Sequence, residues 1–516
     1  MNPGIDDAAC VMPIVILAAL LSGVLLIVID LLSRLPLRRP ILGGDGDGPF
    51  TFPAGFLWGT ATADHQIERA QPDDWTAFEL SARKDRKQTE MRLGLVEPGH
   101  IAGIADVPLS WIENKTNHDD HIDDDIALCK AVGNNAYRFS ISWARLFPRA
   151  DMTAPDPEGL AFYDRVLDAC EKHGQQPSAT LLHFASPQWL WQPDAEGRKG
   201  YERGDAVDHF RRFAEVCATR WGQRIQHWCT INEPMVLVYF GYLEGVFPPN
   251  LRRANPKLAT PVAAQLLRFH VAGYEAIKAA RHDALVGIAH HVRHFVPYRN
   301  GNPLDRFTAM MVDRAFTLDF MDAIHTGLLR PAFGGGIVEI PGLKGTMDYV
   351  GLNFYGRFYV KSTTPGKFEI ISHDKNEYGE EETDVGWAVD EGAFTFELQR
   401  FHDRYELPIY ILESGIADRG GDSGVDDAMR QRFLVRHVQS MWQAVRAGVE
   451  VKGFFYWSLF DNFEWAAGFG PCFGLYRTDY TTHTRTPRDG AAIYKEIAQS
   501  NGLSTSLWSR FRRALR

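Results

Sequence analysis

The chain contains eight short apolar runs, separated by longer amphipathic stretches, and this alternation limits the fold more than any other feature. The runs are GFLWGTATA near 55, NAYRFSIS near 135, QPSATLL near 176, HWCTINEP near 227, LVGIAHHV near 285, MDYVGLNFY near 347, LPIYILES near 407 and GFFYWSLFD near 453. Runs that are apolar throughout are typical of buried parallel strands. Eight strand-plus-helix units predict an α/β fold, a (β/α)8 TIM barrel. The alternative, a doubly wound open sheet, is expected to carry a glycine-rich phosphate turn, and the sequence has neither GxGxxG nor a Walker A pattern.

Size and composition fit one large domain that does not bind nucleic acid. The chain has 516 residues, 45% of them hydrophobic and 12% aromatic, which is enough for a large packed core. Its formal net charge of −10 argues against nucleic acid as a partner, because phosphate-binding proteins are usually basic. The six cysteines form no CxxC pair and are interpreted as free thiols of a reducing compartment.

The first 50 residues differ in character from the rest. Residues 11–29 carry no charge, and about 20 apolar residues span a bilayer. A signal peptide would have a basic region before a shorter apolar run, whereas here Asp6 and Asp7 precede the run and Arg34, Arg38 and Arg39 follow it. The sequence therefore predicts a single-pass membrane protein with the rest of the chain in the cytoplasm. The predicted divisions are a tail (1–10), a transmembrane anchor (11–32), a basic and glycine-rich linker (33–50), the barrel (51–502) and a C-terminal tail (503–516).

Polar and aromatic side chains gather where the apolar runs end. They are His183, Asn232, Glu233, Asn353, Tyr355, Glu413, Trp457, Asp461, Asn462, Glu464 and Trp465. In a barrel of this kind the carboxyl ends of the strands line one pocket. A single strand-end glutamate is more often a cap or a surface ion pair. The repetition at matching ends instead predicts one functional site.

Two carboxyl groups facing each other across such a pocket indicate cleavage of a glycosidic bond. One carboxyl protonates the departing oxygen, and the other attacks the anomeric carbon as a carboxylate. Glu233 and Glu413 are the candidates. Arg138 and Tyr355 are expected to keep Glu413 ionised, through charge and through a hydrogen bond. Among the remaining strand-end residues, the tryptophans offer flat faces for a sugar ring.

These residues fall within seven motifs that resemble family 1 of the glycoside hydrolases, the β-glucosidase family. In chain order the motifs are FPAGFLWGTATADHQIE (52–68), YRFSISWARLFP (137–148), LLHFASPQWL (181–190), TINEP (230–234), NFY (353–355), ILESG (411–415) and WSLFDNFEW (457–465). The resemblance covers about residues 50–500. It implies a retaining double displacement with Glu413 as nucleophile and Glu233 as acid/base, and no metal or organic cofactor. It also places Gln66, His183, Asn232, Glu464 and Trp465 against the sugar, with Trp457 as its platform.

Three sites depart from the family pattern. Leu412 and Ser414 flank the nucleophile where the family has Thr and Asn, Arg69 replaces a frequent glycine, and Phe184-Ala185-Ser186 stands where Trp-Asp is common. The second and third of these sites lie near the expected pocket mouth, so the sequence does not predict which aglycone the enzyme accepts. Trp189, Trp191 and Trp387 are interpreted either as aglycone contacts or as packing residues.

A narrower resemblance concerns the substrate. The apolar N-terminus, VGIAHHV (286–292) and GFGPCFGLYRTD (468–479) are similar to a membrane-anchored branch of the family that transfers galactose between galactolipids. The expected substrate is therefore a soluble β-glycoside or a membrane glycolipid, and the alternative activity is glycolipid transglycosylation. Two further alternatives are a non-catalytic sugar- or lipid-binding barrel and an acyl hydrolase, although no GxSxG elbow is evident.

Two stretches could be mistaken for metal sites. The acidic run at 117–129 lacks the glycine and spacing of an EF-hand and is interpreted as a solvated helix N-terminus. The HHVRH stretch at 290–294 does not follow HExxH and is interpreted as a satisfied polar rim. The sequence thus predicts no metal site.

Overall fold

The computed structural model describes residues 48–84, 104, 106–253, 255–364, 367–371, 381–421, 423–424 and 426–511. The predicted anchor at 11–32 lies outside these ranges. Within them, none of the helices has the length and apolar character that a bilayer crossing requires.

Fifteen strands occur in the described residues. They are β1 Phe50–Thr51, β2 Leu57–Ala61, β3 Ala136–Ser140, β4 Gln176–Leu182, β5 His227–Asn232, β6 Leu285–Pro297, β7 Leu328–Leu329, β8 Val338–Glu339, β9 Val350–Thr364, β10 Lys367–Ile371, β11 Ile409–Ser414, β12 Val451–Trp457, β13 Tyr476–Thr478, β14 Arg485–Pro487 and β15 Gly502–Leu503.

Eight of these strands close into a parallel barrel, which confirms the predicted fold class. The order is β9-β11-β12-β2-β3-β4-β5-β6, and β6 pairs with β9 to complete the ring. Each of the eight apolar runs supplies one barrel strand. The closed ring excludes the open doubly wound sheet. β6 and β9 are longer than the others and stay paired beyond the barrel, where β10 adds antiparallel to β9.

Helices surround the barrel. The α-helices are α1 Asp64–Ile67, α2 Asp74–Lys84, α3 Leu109–Asn114, α4 His118–Ala131, α5 Trp143–Leu146, α6 Pro157–Lys172, α7 Ala206–Trp221, α8 Pro234–Val238, α9 Thr260–Ala280, α10 Pro303–Asp313, α11 Asp319–Thr326, α12 Glu391–Tyr405, α13 Ala428–Arg446, α14 Asp489–Gln499 and α15 Thr505–Phe511. π-helical turns follow α8 at Tyr239–Glu244 and α10 at Arg314–Leu318. Short 3-10 turns lie at Gln188–Trp191, Gly200–Glu202, Pro256–Ala259 and Trp465–Ala467.

The amphipathic pattern explains how a helix packs on the barrel. In α7, Phe210, Phe213, Ala214 and Cys217 are buried at spacings of three and four residues, so they share one helical face. The ring of Phe210 stacks on that of Phe269 from α9, with centroids 4.7 Å apart. Burying a phenylalanine side chain stabilises the fold by about 1.5–3 kcal/mol, so this face fixes α7 against its neighbour.

The first and last described elements meet at the end of the barrel where the strands begin. β1 pairs antiparallel with β15, and Trp58, near the start of β2, donates from Nε1 to Asn501 Oδ1 over 2.9 Å. α15 lies in the predicted C-terminal tail, and it buries Leu507 and Trp508. The Trp508 ring packs edge-on against Phe50, with centroids 5.1 Å apart. The described chain therefore begins at the end opposite to the carboxyl ends of the strands.

Candidate active site

The strand β5 ends in a turn that sets Glu233 apart from the rest of the strand. Glu233 has a φ of 46° and a ψ of 56°, a left-handed conformation that residues other than glycine rarely adopt. Pro234 then occupies the first turn of α8, where its missing N–H costs nothing. The turn directs a buried carboxyl group into the barrel mouth, and such strained residues concentrate at functional sites.

Glu413, on β11, is held through both of its oxygens. Arg138 on β3 donates from Nη1 to Oε1 over 2.5 Å, and the hydroxyl of Tyr355 on β9 donates to Oε2 over 2.7 Å. Arg138 and Glu413 are both buried. Hydrogen bonds to a charged group stabilise it by about 1.5–3 kcal/mol each, so this geometry supports the carboxylate form and fixes its orientation.

Glu233 is held through one oxygen. Asn353 on β9 donates from Nδ2 to Oε1 over 2.8 Å, and Nδ1 of His291 on β6 lies 3.0 Å from the same atom. Within the described chain both contacts involve Oε1. Oε2 is therefore the oxygen placed to exchange a proton with a ligand.

Asn232 joins the two halves of the site. Its Oδ1 accepts from Arg138 Nη2 at 2.8 Å and from Asn353 Nδ2 at 3.1 Å, and its Nδ2 lies 3.0 Å from Nε2 of His183. Arg138 also holds Glu413, and Asn353 also holds Glu233. One hydrogen-bonded network therefore links the two carboxyl groups, which lie 180 positions apart in the sequence.

The predicted sugar-contacting residues line the same mouth. Gln66 donates from Nε2 to Phe463 O at 2.6 Å and to Glu464 Oε2 at 3.4 Å, and its buried Oε1 has no partner among the described residues. The His183 ring stacks on Trp465 at 5.8 Å and on Trp457 at 5.9 Å. A row of donors and acceptors beside flat aromatic faces matches a pyranose ring, which has hydroxyls at its edge and apolar C–H groups on its faces.

The acidic groups of the site influence each other's protonation. Burial raises the pKa of Glu413 to about 7, with a further contribution from Glu233 and against the opposing charge of Arg138. Burial also acts on Glu233 in this direction, but its contacts with His291 and Asn353 and the charge of Arg293 together lower its pKa. Burial, then Glu413 and Glu233, raise the pKa of Glu464 to about 8. The acidic groups of the site therefore retain protons near neutral pH, and Arg138 and Tyr355 oppose the protonation of Glu413.

A second buried network lies behind Trp465, one of the predicted sugar-contacting residues, and it was not predicted from the sequence. His65 lies between Asp73 and Glu79, with ring nitrogens 2.9 and 2.7 Å from their oxygens, and Lys115 pairs with Glu79. The His65 ring stacks on Trp465 at 5.7 Å. The signal in the sequence was a histidine directly before Gln66, but its acidic partners lie 8 and 14 residues later on other elements.

The histidines of the HHVRH stretch turn to separate partners. His290 Nε2 lies 2.8 Å from Thr317 O, and His294 Nδ1 lies 2.8 Å from Glu397 Oε1. The polar-rim interpretation therefore describes these two, but it misses the approach of His291 to Glu233. Among the described residues, no group of three or more His, Cys, Asp or Glu side chains could hold a metal ion.

The acidic run forms the start of α4, with Asp119 and Asp120 in its first turn. It is not solvated throughout, because Asp125 is buried and pairs with His118 and Arg485.

The three tryptophans of uncertain role separate into two groups. Trp189 and Trp191 donate their indole N–H groups to Phe147 O and Ser186 Oγ within the protein. The Trp387 ring instead lies 5.5 Å from Tyr355, the hydrogen-bond donor to Glu413. Trp387 is therefore the one placed beside the pocket.

A closed barrel with two linked carboxyl groups and a polar and aromatic rim at its carboxyl end defines the class of glycoside hydrolases. Comparison with known proteins supports this. The model of glycosyl hydrolase family 1 matches residues 49–503. β-Glucosidase A of Thermotoga maritima is 29% identical over 470 residues, which cover 88% of this chain and 98% of that protein. A β-galactosidase of Pyrococcus woesei is 28% identical, with coverages of 88% and 98%.

Solved structures agree. The β-glycosidase of Pyrococcus horikoshii superposes with a TM-score of 0.76 at 33% identity, covering 90% of this chain and 98% of that one. The chain belongs to glycosyl hydrolase family 1. It is thus a glycoside hydrolase of the retaining, β-glucosidase-like type, and not the non-catalytic barrel or the acyl hydrolase considered above.

Proposed function

We propose that the enzyme cleaves β-glycosides with Glu413 as the nucleophile and Glu233 as the acid/base. The observation that carries this assignment is the asymmetry of the two carboxyl groups. Arg138 and Tyr355 hold both oxygens of Glu413, as a group that must attack in one orientation requires. The contacts that hold Glu233 within the described chain are made to Oε1, so we infer that Oε2 is the oxygen that serves the ligand.

The reaction proceeds in two displacements. Glu413 attacks the anomeric carbon while Glu233 transfers its proton to the glycosidic oxygen, so the alcohol leaves and a glycosyl ester of Glu413 forms. Glu233, now a carboxylate, takes a proton from water as the water oxygen attacks the same carbon. The sugar is released with its original configuration, and both carboxyl groups return to their starting state.

The role of Glu413 is tested with Glu413→Ala and a 2-fluoro sugar with a good leaving group. We expect the variant to lose turnover by about four to six orders of magnitude, as loss of the nucleophile does in other covalent enzymes. Azide should restore activity by filling the space of the missing carboxylate. In the unaltered enzyme, the fluoro sugar should label Glu413. No azide rescue together with a label on another residue would refute the assignment.

Sugar binding is assigned to the rim residues: Gln66, His183, Asn232, Asn353, Tyr355, Trp457, Glu464 and Trp465. The unpartnered Gln66 Oε1 and the buried Glu464 carboxyl are placed to bind sugar hydroxyls. The Trp457 indole supplies the platform. Glucosides and galactosides differ at one hydroxyl, so kcat/KM for the two, measured on the same aglycone, tests which sugar is preferred.

An apolar cavity favours a hydrocarbon-bearing aglycone. It has a volume of about 120 Å³ and is lined by Tyr239, Leu243, Val312, Phe316, Phe320 and Phe333, among others. The Phe316 ring lies 5.8 Å from the ring of His291, which faces Glu233. The departing group lies on the acid/base side of the broken bond, and we infer that an alkyl chain on this group reaches the cavity past the Phe316 ring. This supports a lipid or alkyl glycoside as the substrate.

Alkyl β-glycosides of increasing chain length test the cavity. Each buried methylene adds about 0.8 kcal/mol, or roughly a fourfold gain. We expect kcat/KM to rise with chain length until the cavity is filled. Ala263→Phe places a ring in the cavity and should reduce the ratio of long-chain to short-chain kcat/KM. Leu109→Ala, at a surface position that is 43% exposed, is the matched control and should keep the ratio. If kcat/KM did not change with alkyl chain length, the cavity would be excluded as the aglycone site.

Transfer to a second glycolipid is the alternative outcome of the same intermediate. It replaces water with a sugar hydroxyl in the second displacement. Product analysis with a glycolipid in detergent distinguishes the two reactions, because transfer yields an oligosaccharide lipid and hydrolysis yields free sugar.

We also propose that residues 11–32 anchor the enzyme as a single-pass protein with the barrel in the cytoplasm. The support is the uncharged run at 11–29 and the arginines that follow it. Carbonate extraction tests the anchor, since an anchored chain stays with the membrane. Protease treatment of sealed vesicles tests the orientation.

A further inference from the structure

His291 and Arg293 form a buried pair directly behind the acid/base. They point to the same side of β6, and both are enclosed. Arg293 donates from Nε to Nε2 of His291 over 3.2 Å, and Nδ1 of His291 lies 3.0 Å from Glu233 Oε1. A guanidinium group only donates hydrogen bonds. Nε2 is therefore the accepting nitrogen and the ring proton lies on Nδ1, which is 3.0 Å from Glu233 Oε1 but not aligned for a full hydrogen bond.

The guanidinium of Arg293 is held by aromatic faces. It lies 4.3 Å from the centroid of Phe358, 5.3 Å from Phe316 and 5.8 Å from Phe240. Burial lowers the pKa of Arg293 to about 10, so the group stays charged near neutral pH. Its charge and its donated hydrogen bond both oppose a second proton on His291. The imidazole therefore remains neutral, with its Nδ1–H beside the Glu233 carboxyl group.

We propose that His291, fixed in the Nδ1–H form by Arg293, is a positioning residue that holds Glu233 as a carboxylate with Oε2 facing the pocket. It thereby favours the base role of Glu233, in the second displacement, over its acid role in the first. This inference rests on the proposed roles of Glu233 and Glu413. It predicts an enzyme that hydrolyses its glycosyl ester readily but is limited by protonation when the leaving group is poor.

Other charged groups face Glu233 from the surrounding strands. Glu413 on β11 and Glu464 after β12 oppose its ionisation, whereas Arg138 on β3 acts through Asn232. The Tyr355 hydroxyl is committed to Glu413, and His290 is committed to Thr317 O. Tyr239, near Arg293, stays protonated because burial raises its pKa. Within the described chain, His291 and Arg293, together with the Asn353 amide, are therefore the groups that favour the Glu233 carboxylate.

The test compares two reactions that use Glu233 in opposite states. An alkyl β-glycoside needs its proton, so kcat/KM on the alkaline side reports the acid role. The dinitrophenolate of a dinitrophenyl β-glycoside leaves without protonation, so kcat for this substrate reports the ester hydrolysis in which Glu233 is the base.

His291→Phe removes the Nδ1–H that lies beside Glu233. The pKa of Glu233 should rise in this variant, so we expect the alkaline limb of the kcat/KM profile for the alkyl substrate to move to higher pH by about one unit or more. We also expect kcat for the dinitrophenyl substrate to fall by roughly tenfold at mildly acidic pH. The reason is that raising the pKa of Glu233 by one unit leaves about one tenth as much of the carboxylate that acts as the base.

His291→Asn is the matched variant, since its Nδ2 occupies the place of the imidazole Nδ1 and should recover most of both effects. Arg293→Met leaves the ring in place and should move the alkaline limb in the same direction by less. It also supplies the test if His291→Phe does not fold. A uniform loss in both reactions at every pH, or pH limbs that stay in place, would overturn the proposal. Failure of the unaltered enzyme to cleave either substrate would instead refute the proposed function.

Discussion

The hydroxyl of Tyr355 donates to Oε2 of Glu413 across 2.7 Å, on the carboxylate oxygen that Arg138 does not hold. Tyr355 is buried and has rings on three sides, at His291, Trp387 and Phe473. The hydroxyl therefore has a fixed direction. It competes with attack by the same oxygen, so this hydrogen bond must weaken as the glycosyl ester forms.

Tyr355→Phe removes this hydrogen bond without changing the shape of the ring. The bond lowers the pKa of Glu413, so its loss raises that pKa and moves the acid limb of the kcat/KM profile to higher pH. A lost hydrogen bond to a charged group is worth about 1.5–3 kcal/mol. We expect kcat/KM to fall by roughly 10- to 100-fold. The profile is measured with an activated aryl glycoside. An acid limb that does not move would show that Tyr355 does not set the charge of Glu413.

Glu233→Ala should divide substrates by their leaving groups. General acid catalysis contributes about 10²- to 10⁴-fold, so alkyl glycosides should lose that much in kcat/KM. Dinitrophenyl glycosides, which need no proton, should keep most of theirs. A Brønsted plot of log kcat/KM against leaving-group pKa measures this, and its slope should steepen in the variant. Equal losses for all leaving groups would exclude Glu233 as the acid.

Lys115→Met tests the network behind Trp465. Lys115 and Glu79 are fully buried as a pair, and removing one partner of such a pair costs about 3–5 kcal/mol. We expect a clearly lower Tm in thermal unfolding. The control is Arg149→Gln, because Arg149 and Asp151 are 69% and 77% exposed and their pair should contribute nothing measurable. Equal Tm changes in the two variants would contradict the structural role of Lys115.

His65 should make stability depend on pH. Burial opposes its charge, but Asp73 and Glu79 outweigh burial and raise its pKa to about 9, against 6.5 for an ordinary histidine. The folded state therefore binds the proton more tightly than the unfolded state. Its contribution is complete below about pH 6.5 and is lost as pH rises towards 9. The Tm difference between the enzyme and His65→Gln, measured across this window, should shrink with pH. A constant difference would mean that His65 does not change its charge there.

The barrel could be predicted because strand burial leaves a direct mark on the sequence. β3, β5 and β11 are buried at every position, and each appears as an apolar run. Convergence of Glu233 and Glu413 followed from topology, since parallel strands bring their carboxyl ends together. The site residues at strand ends were found in this way. The roles assigned to them stay predictions, which the experiments above test.

Polar contacts between distant elements could not be predicted from local sequence patterns. His65 and His291 pair with carboxylates on other elements. Periodicity records which face of an element is buried but not which polar partners meet there. The left-handed turn at Glu233 was hinted at only by the proline after it. Residues 505–511 form the packed helix α15 in the segment predicted as a tail, because Leu507 and Trp508 are too few to give a helical pattern by themselves.

The position of β1 has a practical consequence. The described chain starts beside β15, at the rim of the barrel where the strands begin, and the sugar pocket opens at the other rim. A support coupled at residue 48, just before β1, would therefore leave the pocket facing bulk solution. If residues 11–32 anchor the chain as proposed, the barrel is tethered through the rim away from its pocket. A glycolipid in the same bilayer would then reach the pocket only in a barrel that has turned over.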